Sequence, residues 1–218
     1  MLRAVVAVAL GALVCSELVA GAEETGPRHL IYLHGRIVQD QQSARPRHPE
    51  WGYYELEKIL ETFRERGFVV TGGIRPKNAS VSESADRVVD RVRGLVASGV
   101  PRSRITIVGG SMGAAIALLA SVRLQDPGLD FCVLGACLSQ SVPLLVAEHG
   151  RKPAGRFLAF RETSDETSEP CPAWSDDPAG RTTLVVREIV LHTGQSHGFL
   201  YRPLPEWIEP FVEWAALR

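Results

Sequence analysis

The segment Ile105-Thr106-Ile107-Val108-Gly109-Gly110-Ser111-Met112-Gly113 decides which fold this chain is expected to adopt. Its first four residues form a short apolar run, which is typical of a strand buried on both faces. The residues after it carry apolar side chains at helical spacing, namely Met112, Ala115, Ile116 and Leu119. A strand that passes this abruptly into a helix needs a tight turn, and Gly109 and Gly113 keep side chains from colliding there.

Short apolar runs and helical stripes alternate along the rest of the chain. The other strand-like runs are His29–Leu33, Phe68–Ile74, Phe131–Ala136, Arg156–Phe160 and Glu188–His192. The other helical stripes are Leu56 to Phe63, Ala85 to Val96 behind the capping box Ser80-Val81-Ser82-Glu83, and Trp207 to Ala215. We expect Pro210 to kink the last helix or to begin its second part. The alternation predicts an α/β fold of about six mainly parallel strands with helices on both faces.

The first 22 residues are not expected to belong to this domain. Arg3 precedes the uninterrupted apolar run Ala4 to Val14, and Ala20-Gly21-Ala22 has the small residues of a cleavage site. This pattern is typical of a secretory signal peptide, and the run is shorter than the ~20 residues that span a bilayer. We therefore predict a signal peptide over 1–22, one domain over 23–218, and an exported protein, periplasmic or secreted, without a stable membrane anchor after cleavage.

Composition and missing motifs exclude several classes of function. The 218 residues are 45% hydrophobic and 22% charged, with a formal net charge of -1, which is usual for a globular domain and gives no affinity for nucleic acid. The chain has no G-x-G-x-x-G, no P-loop, no H-E-x-x-H and no C-x-x-C. We expect no nucleotide cofactor and no metal.

A glycine-flanked serine after a strand points to nucleophilic catalysis. Ser111 stands in G-x-S-x-G, although an ordinary N-cap serine in a glycine-rich turn is the alternative. A serine hydroxyl needs a base, and His197 lies in the loop after the last strand-like run. A carboxylate should orient that base, and Asp165 lies a few residues beyond the preceding run. Its competitors are Glu162, Glu166, Asp176 and Asp177.

Two backbone N–H groups are expected to stabilise an oxyanion. One belongs to Met112, directly after the candidate nucleophile. The other belongs to Arg36, because Leu33-His34-Gly35-Arg36 leaves the first strand at the same sheet edge. We expect His34 to be structural rather than a base or a ligand.

These pieces together resemble the α/β-hydrolase superfamily over essentially the whole of 23–218. The matching motifs are L-H-G-R at 33–36, G-G-S-M-G at 109–113, S-D-E at 164–166 and S-H-G-F at 196–199, in the order Ser, Asp, His. The resemblance implies a serine hydrolase with an acyl-enzyme intermediate, with these roles on Ser111, Asp165 and His197. Only Leu138 to Gly155 separates two strand-like runs, so no cap domain is expected.

The remaining candidates concern the pocket and the cysteines. Side chains that could line a substrate pocket are Trp51, Tyr53, Phe199 and Tyr201, although aromatic residues near strand ends more often serve packing. Cys137 ends one strand-like run, and Cys171 lies in the loop that leaves the next one at the same edge. Exit loops of adjacent parallel strands can approach to bridging distance, so we predict a Cys137–Cys171 disulfide and a free buried Cys132.

The chemistry expected from these residues is hydrolysis of a small acyl substrate. An ester is the favoured substrate because an alkoxide leaving group needs less help than an amine. A thioesterase, an amidase and a peptidase would use the same triad, so they stay open as alternatives. A non-catalytic binding module on the same fold is a further alternative.

Overall fold

The computed structural model of the protein describes residues 26–135, 148–168 and 184–217. Six strands form the main sheet, namely β1 (Arg28–Leu33), β4 (Phe68–Thr71), β5 (Ile105–Gly110), β6 (Asp130–Leu134), β7 (Gly155–Glu162) and β8 (Leu184–Leu191). Their order across the sheet is β4-β1-β5-β6-β7-β8, and every neighbouring pair is parallel. A separate antiparallel hairpin consists of β2 (Arg47–His48) and β3 (Gly52–Tyr53). The predicted parallel sheet is confirmed.

Helices cover both faces of this sheet, as predicted. They are α1 (Arg36–Gln41), α2 (Leu56–Glu65), α3 (Val81–Ala97), α4 (Met112–Leu124) and α5 (Pro205–Ala216). Along β1, Ile31 and Leu33 pack in one apolar cluster with α3 and α4, whereas Leu30 and Tyr32 pack in a second cluster with α1, α2 and α5. Successive residues of a strand point to opposite faces, so a strand covered on both faces is apolar throughout.

Several boundaries differ from the sequence prediction. Strand β4 ends at Thr71, three residues before Ile74, and β8 already begins at Leu184. The stretch 36–53, which shows no periodicity in the sequence, contains α1 and the hairpin. Helix α5 runs through Pro210 as one element, and Pro205 occupies its first turn, where a missing N–H costs nothing. The capping box of Ser80 and Glu83 is confirmed.

The two ends of the described chain meet at the edge where β1 begins. The Arg28 guanidinium donates hydrogen bonds to the carbonyl oxygens of Ala215 and Ala216 in the last turn of α5. This contact fixes the end of α5 beside the start of the sheet. Within the described ranges, no helix is both long and apolar enough to cross a membrane.

The chain leaves little room for a cap between β6 and β7. Only residues 135–154 separate these strands, in agreement with a minimal α/β fold. The predicted signal peptide over 1–22 and both partners of the predicted disulfide, Cys137 and Cys171, lie outside the described residues. Cys132 is a buried free thiol on β6, as expected, and burial raises the pKa of that thiol.

Candidate active site

Ser111 occupies a strained turn between β5 and α4. Its φ of 53° and ψ of -119° lie outside the regions that L-residues normally adopt, and its N–H donates to the Leu134 carbonyl at 2.9 Å. The positions of Gly109 and Gly113 have no room for a side chain. A Cβ on Gly109 would lie 2.3 Å from the Gly113 carbonyl oxygen, and a Cβ on Gly113 would lie 1.9 Å from that of Leu33. The turn therefore holds Ser111 at the carboxyl end of the sheet.

His197 and Asp165 form a buried pair at the same sheet edge. The loops that follow β7 and β8 bring His197 Nδ1 to 2.6 Å from Asp165 Oδ2. The other carboxylate oxygen, Oδ1, accepts from the N–H and the hydroxyl of Thr167 at 3.0 and 2.6 Å. Burial raises the pKa of Asp165, but hydrogen bonds from His197 and Thr167 outweigh it and lower that pKa overall. An ionised Asp165 only accepts, so Nδ1 carries the imidazole proton and Nε2 is the basic nitrogen.

The competing carboxylates lie elsewhere. Glu162 is fully buried, but its oxygens accept from Thr193 and Ser164 and make no contact with His197. Glu166 is exposed, and Asp176 and Asp177 lie outside the described residues. Of the described candidates, Asp165 is thus the carboxylate that contacts the histidine.

Ser111 and His197 both lie against the end of β6. Leu134 accepts the Ser111 N–H, and the next residue, Gly135, approaches the imidazole so closely that a Cβ would lie 3.1 Å from His197 Cε1. Ser111 Oγ was expected within hydrogen-bond reach of His197 Nε2, but the Ser111 hydroxyl forms no hydrogen bond with any described residue. Such bonds are often long before substrate binds.

The expected oxyanion donors lie at the starts of two helices. Arg36 and Met112 are the first residues of α1 and α4, where backbone N–H groups have no partner within the helix. A Cβ on Gly35 would be 3.7 Å from Ser111 Cβ, so the start of α1 lies beside the serine. His34 Nδ1 contacts the Gly35 carbonyl at 2.8 Å, while its Nε2 accepts from the Arg75 N–H at 3.0 Å. His34 is therefore a neutral structural residue, and burial lowers its pKa to about 4.

A buried cation beneath this loop was missed by sequence reasoning. The Arg75 side chain is 9% exposed, and its Nε donates to Gln39 Oε1 at 3.0 Å. Its Nη1 is buried without a hydrogen-bond partner, and no carboxylate of the described residues pairs with it. Burial lowers the pKa of Arg75 to about 10. Arg75 stands in the aperiodic segment after β4, where no pattern distinguishes it from a surface arginine.

The four aromatic candidates differ in position. The Trp51 ring lies 5.1 Å from that of His197 and 5.7 Å from that of Tyr201, and it packs on Gly198. Tyr53 is 44% exposed, with the Arg45 guanidinium over its ring. Phe199 is fully buried in the core and has no surface to offer a ligand, and Tyr201 is also buried. Trp51 is thus the aromatic residue that borders the imidazole.

Several solved structures are similar to this chain in overall architecture. An α/β hydrolase from a Medee basin deep-sea metagenome library superposes with a TM-score of 0.57 at 11% identity, covering 87% of this chain and 83% of that one. A Rhizomucor miehei esterase gives 0.56 at 14% identity, covering 90% and 76%. A serine hydrolase without a lid from Xanthomonas campestris gives 0.50 at 12% identity, covering 89% and 84%.

The chain has the α/β-hydrolase fold.

In sequence, this α/β-hydrolase-fold chain is 27% identical over 145 residues to an acetyl-hydrolase from Streptomyces hygroscopicus. The aligned part is 66% of this chain, and it spans 46% of that relative's length. No protein-family model matches the chain. Within the described ranges, no group of three or more His, Cys, Asp or Glu side chains is placed to hold a metal ion.

Proposed function

We propose that the protein is a serine hydrolase that cleaves carboxylic esters through an acyl-enzyme on Ser111. The observation that carries the proposal is the 2.6 Å contact between His197 Nδ1 and Asp165 Oδ2, at the sheet edge where Ser111 stands in a strained turn. The order of these residues along the chain and the α/β-hydrolase fold support the same reading. A buried aspartate that fixes a histidine tautomer has a direct use in general-base catalysis.

The proposed reaction begins with attack of the Ser111 oxygen on the carbonyl carbon of the ester. His197 Nε2 takes the hydroxyl proton, and Asp165 stabilises the imidazolium that forms. The tetrahedral intermediate collapses, the C–O bond to the alcohol breaks, and Nε2 returns the proton to the leaving oxygen. Water then attacks the acyl-enzyme with the same histidine as base, and the acid product leaves with Ser111 restored.

The negative charge on the tetrahedral oxygen is assigned to the N–H groups of Met112 and Arg36. The Gly35 carbonyl points toward His34 and Arg75, with His34 Nδ1 at 2.8 Å and Arg75 Nη2 at 3.5 Å. A trans peptide directs its N–H away from its own carbonyl, so these contacts favour an Arg36 N–H that faces away from them. Donors fixed in advance stabilise an oxyanion without reorganisation during the reaction.

An ester of a short acyl group is the first substrate to test. The partial relative is an acetyl-hydrolase, and one of the structural neighbours is an esterase. The same triad would also serve a thioesterase, an amidase or a peptidase, and a substrate panel separates these four activities. A binding module without catalysis would keep the fold and show no turnover on any of them.

The test combines covalent labelling with kinetics. A fluorophosphonate probe should label the wild-type protein, and peptide mapping should place the label on Ser111. With p-nitrophenyl acetate, Ser111→Ala should lower kcat at least about 10⁴-fold, whereas Ser82→Ala on the exposed side of α3 should leave it unchanged. Absence of labelling and of turnover on ester, thioester and amide substrates would overturn the proposal.

A further inference from the structure

Glu162, which competes with Asp165 in the sequence, holds together the two loops that carry the catalytic pair. It is the last residue of β7, and its side chain is fully buried. Its Oε2 accepts from the N–H and the hydroxyl of Thr193 at 2.8 and 2.7 Å. Its Oε1 accepts from the N–H and the hydroxyl of Ser164 at 3.2 and 3.0 Å, and from the Gly194 N–H at 3.3 Å.

The residues that bind Glu162 stand directly beside the catalytic ones. Ser164 precedes Asp165, while Thr193 and Gly194 open the loop that leads to His197. A second connection runs through Ser164. Its hydroxyl, which donates to Glu162, also accepts a hydrogen bond from the Ser196 N–H at 3.0 Å. Ser196 has a φ of 49°, a strained conformation that persists only where neighbouring contacts hold it. The carboxylate therefore connects the segments on both sides of the His197–Asp165 contact.

The chemistry of the site requires a carboxylate rather than its amide. Every group that contacts the two oxygens is an N–H or O–H donor, and an ionised glutamate accepts at both oxygens. A glutamine would offer one acceptor oxygen and direct an NH₂ group at other donors. Burial raises the pKa of Glu162, but the hydrogen bonds from Thr193 and Ser164 outweigh it and lower that pKa to about 2. No cation among the described residues forms an ion pair with this carboxylate.

We propose that Glu162 is a positioning residue, which sets the distance and orientation of His197 relative to Asp165 by clamping their loops together. The inference rests on the proposed serine hydrolase function for its kinetic consequence, but not for its structural one. A displacement of about 1 Å in a catalytic group can cost about a hundredfold in rate. Loss of the clamp should therefore lower kcat and leave KM nearly unchanged, because Glu162 does not touch the proposed site of the substrate.

The first test compares Glu162→Gln with Glu166→Gln, which makes the same chemical change on an exposed neighbour of the same loop. With p-nitrophenyl acetate, Glu162→Gln should lower kcat about tenfold to a hundredfold with a KM close to wild type, whereas Glu166→Gln should match wild type. Circular dichroism in the near ultraviolet establishes that each variant is folded. A folded Glu162→Gln protein with wild-type kcat would overturn the inference.

The second test needs no turnover. A proton held between His197 Nδ1 and Asp165 gives a far-downfield imidazole signal in the proton NMR spectrum, and His197→Gln assigns it. Glu162→Gln should broaden or remove this signal, and Glu166→Gln should keep it. If the wild-type protein hydrolyses none of the substrates, the proposed hydrolase function is wrong. If its downfield signal is nevertheless lost in Glu162→Gln, the positioning role of Glu162 is still supported. An unchanged signal in Glu162→Gln would contradict the proposed positioning role of Glu162.

A third variant keeps the inference testable if Glu162→Gln does not fold. Ser164→Ala retains the buried carboxylate and its bonds to Thr193 and Gly194, but loses the hydroxyl that joins Glu162 to Ser196. It should fold, lower kcat about threefold to tenfold through the loss of the two hydrogen bonds of this hydroxyl, and weaken the downfield signal. Wild-type kcat and an unchanged signal in Ser164→Ala would then reject the clamp.

Discussion

Gly113 packs directly on the carbonyl oxygen of Leu33, at a point where a Cβ would lie only 1.9 Å from that oxygen. The close approach joins the first turn of α4 to the end of β1, and so fixes the Ser111 turn beside the Gly35 loop. A side chain at this position cannot be accommodated by rotating another side chain, because the obstacle is backbone.

Gly113→Ala should therefore destabilise the whole domain. We expect the free energy of unfolding in urea to fall by about 3 kcal/mol or more, in the range of overpacking and strain combined. Gly94→Ala is the matched control, since Gly94 lies within α3 and a Cβ there would meet nothing within 4 Å. That control should gain about 0.5–1 kcal/mol from better helix propensity. Equal stability of the two variants would contradict the packing argument.

Stability should depend on pH through His34. In the unfolded chain this histidine takes up a proton near its ordinary pKa of 6.5, whereas in the folded protein burial lowers the pKa to about 4. Between these values the unfolded state binds more protons, so lowering the pH from 6.5 to 4 favours unfolding. The loss is at most about 1.4 kcal/mol per pH unit, roughly 3 kcal/mol in all.

Urea unfolding of wild type and His34→Gln at a series of pH values checks this dependence. The variant has no group to titrate at position 34, so its free energy of unfolding should fall less steeply between pH 6.5 and 4. Parallel curves for the two proteins would show that His34 does not cause the pH dependence.

Thr167 should contribute to catalysis through Asp165. Its hydroxyl donates to Asp165 Oδ1 at 2.6 Å, opposite the oxygen that binds His197. Thr167→Val removes this bond and keeps the shape, which should lower kcat/KM about tenfold for the loss of a charge-assisted bond of about 1.5 kcal/mol. Thr62→Val on the exposed face of α2 makes the same change far from the site and should have no effect. Two indistinguishable variants would refute a role for the Thr167 hydroxyl.

Export predicts a shortened chain in the native host. We propose that a signal peptide over 1–22 is removed, so that mass spectrometry of the purified protein should find an amino terminus near Glu23. Ala22→Arg at the expected cleavage site should leave a longer precursor in the cell. An abundant cytosolic form that begins at Met1 would contradict export.

The proposed export also leads to a prediction about the cysteines. Cys137 and Cys171 should be paired, which would close a loop worth ~3–4 kcal/mol in the chain-entropy model. Alkylation of denatured, non-reduced protein should modify Cys132 alone, and reduction should release two more thiols. In the folded protein Cys132 should react slowly, since burial raises its pKa. Three reactive thiols before reduction would exclude the bridge.

Much of the fold could be predicted from periodicity because β1, β5, β6 and β7 are covered on both faces. Runs such as Ile105–Val108 are largely apolar for that reason, and helices α2 and α3 each bury an apolar stripe along one side. The hairpin β2–β3 could not be predicted, since strands of two residues are too short to show any period.

The residues of the candidate site also differ in how well the sequence predicts them. Ser111 has a local signature, because the steric demand of its turn falls on glycines two residues away on either side. The roles of Glu162 and Arg75 have no local signature. The partners of Glu162 include Thr193 and Gly194, and those of Arg75 include Gln39, all of which lie about thirty residues or more away along the chain. Only the packing of the sheet brings them into contact.

The hydrogen bonds between Arg28 and the last turn of α5 have a practical consequence for work with this protein. Strand β1 rises about 3.3 Å per residue, so its start lies roughly 20 Å from the edge that carries Ser111. A bead, dye or fusion partner attached beside Arg28 or Ala216 would therefore sit on the reverse side of the molecule. Immobilised through either position, the domain would present its proposed catalytic edge to the solution, and a short linker between the two positions would permit circular permutation.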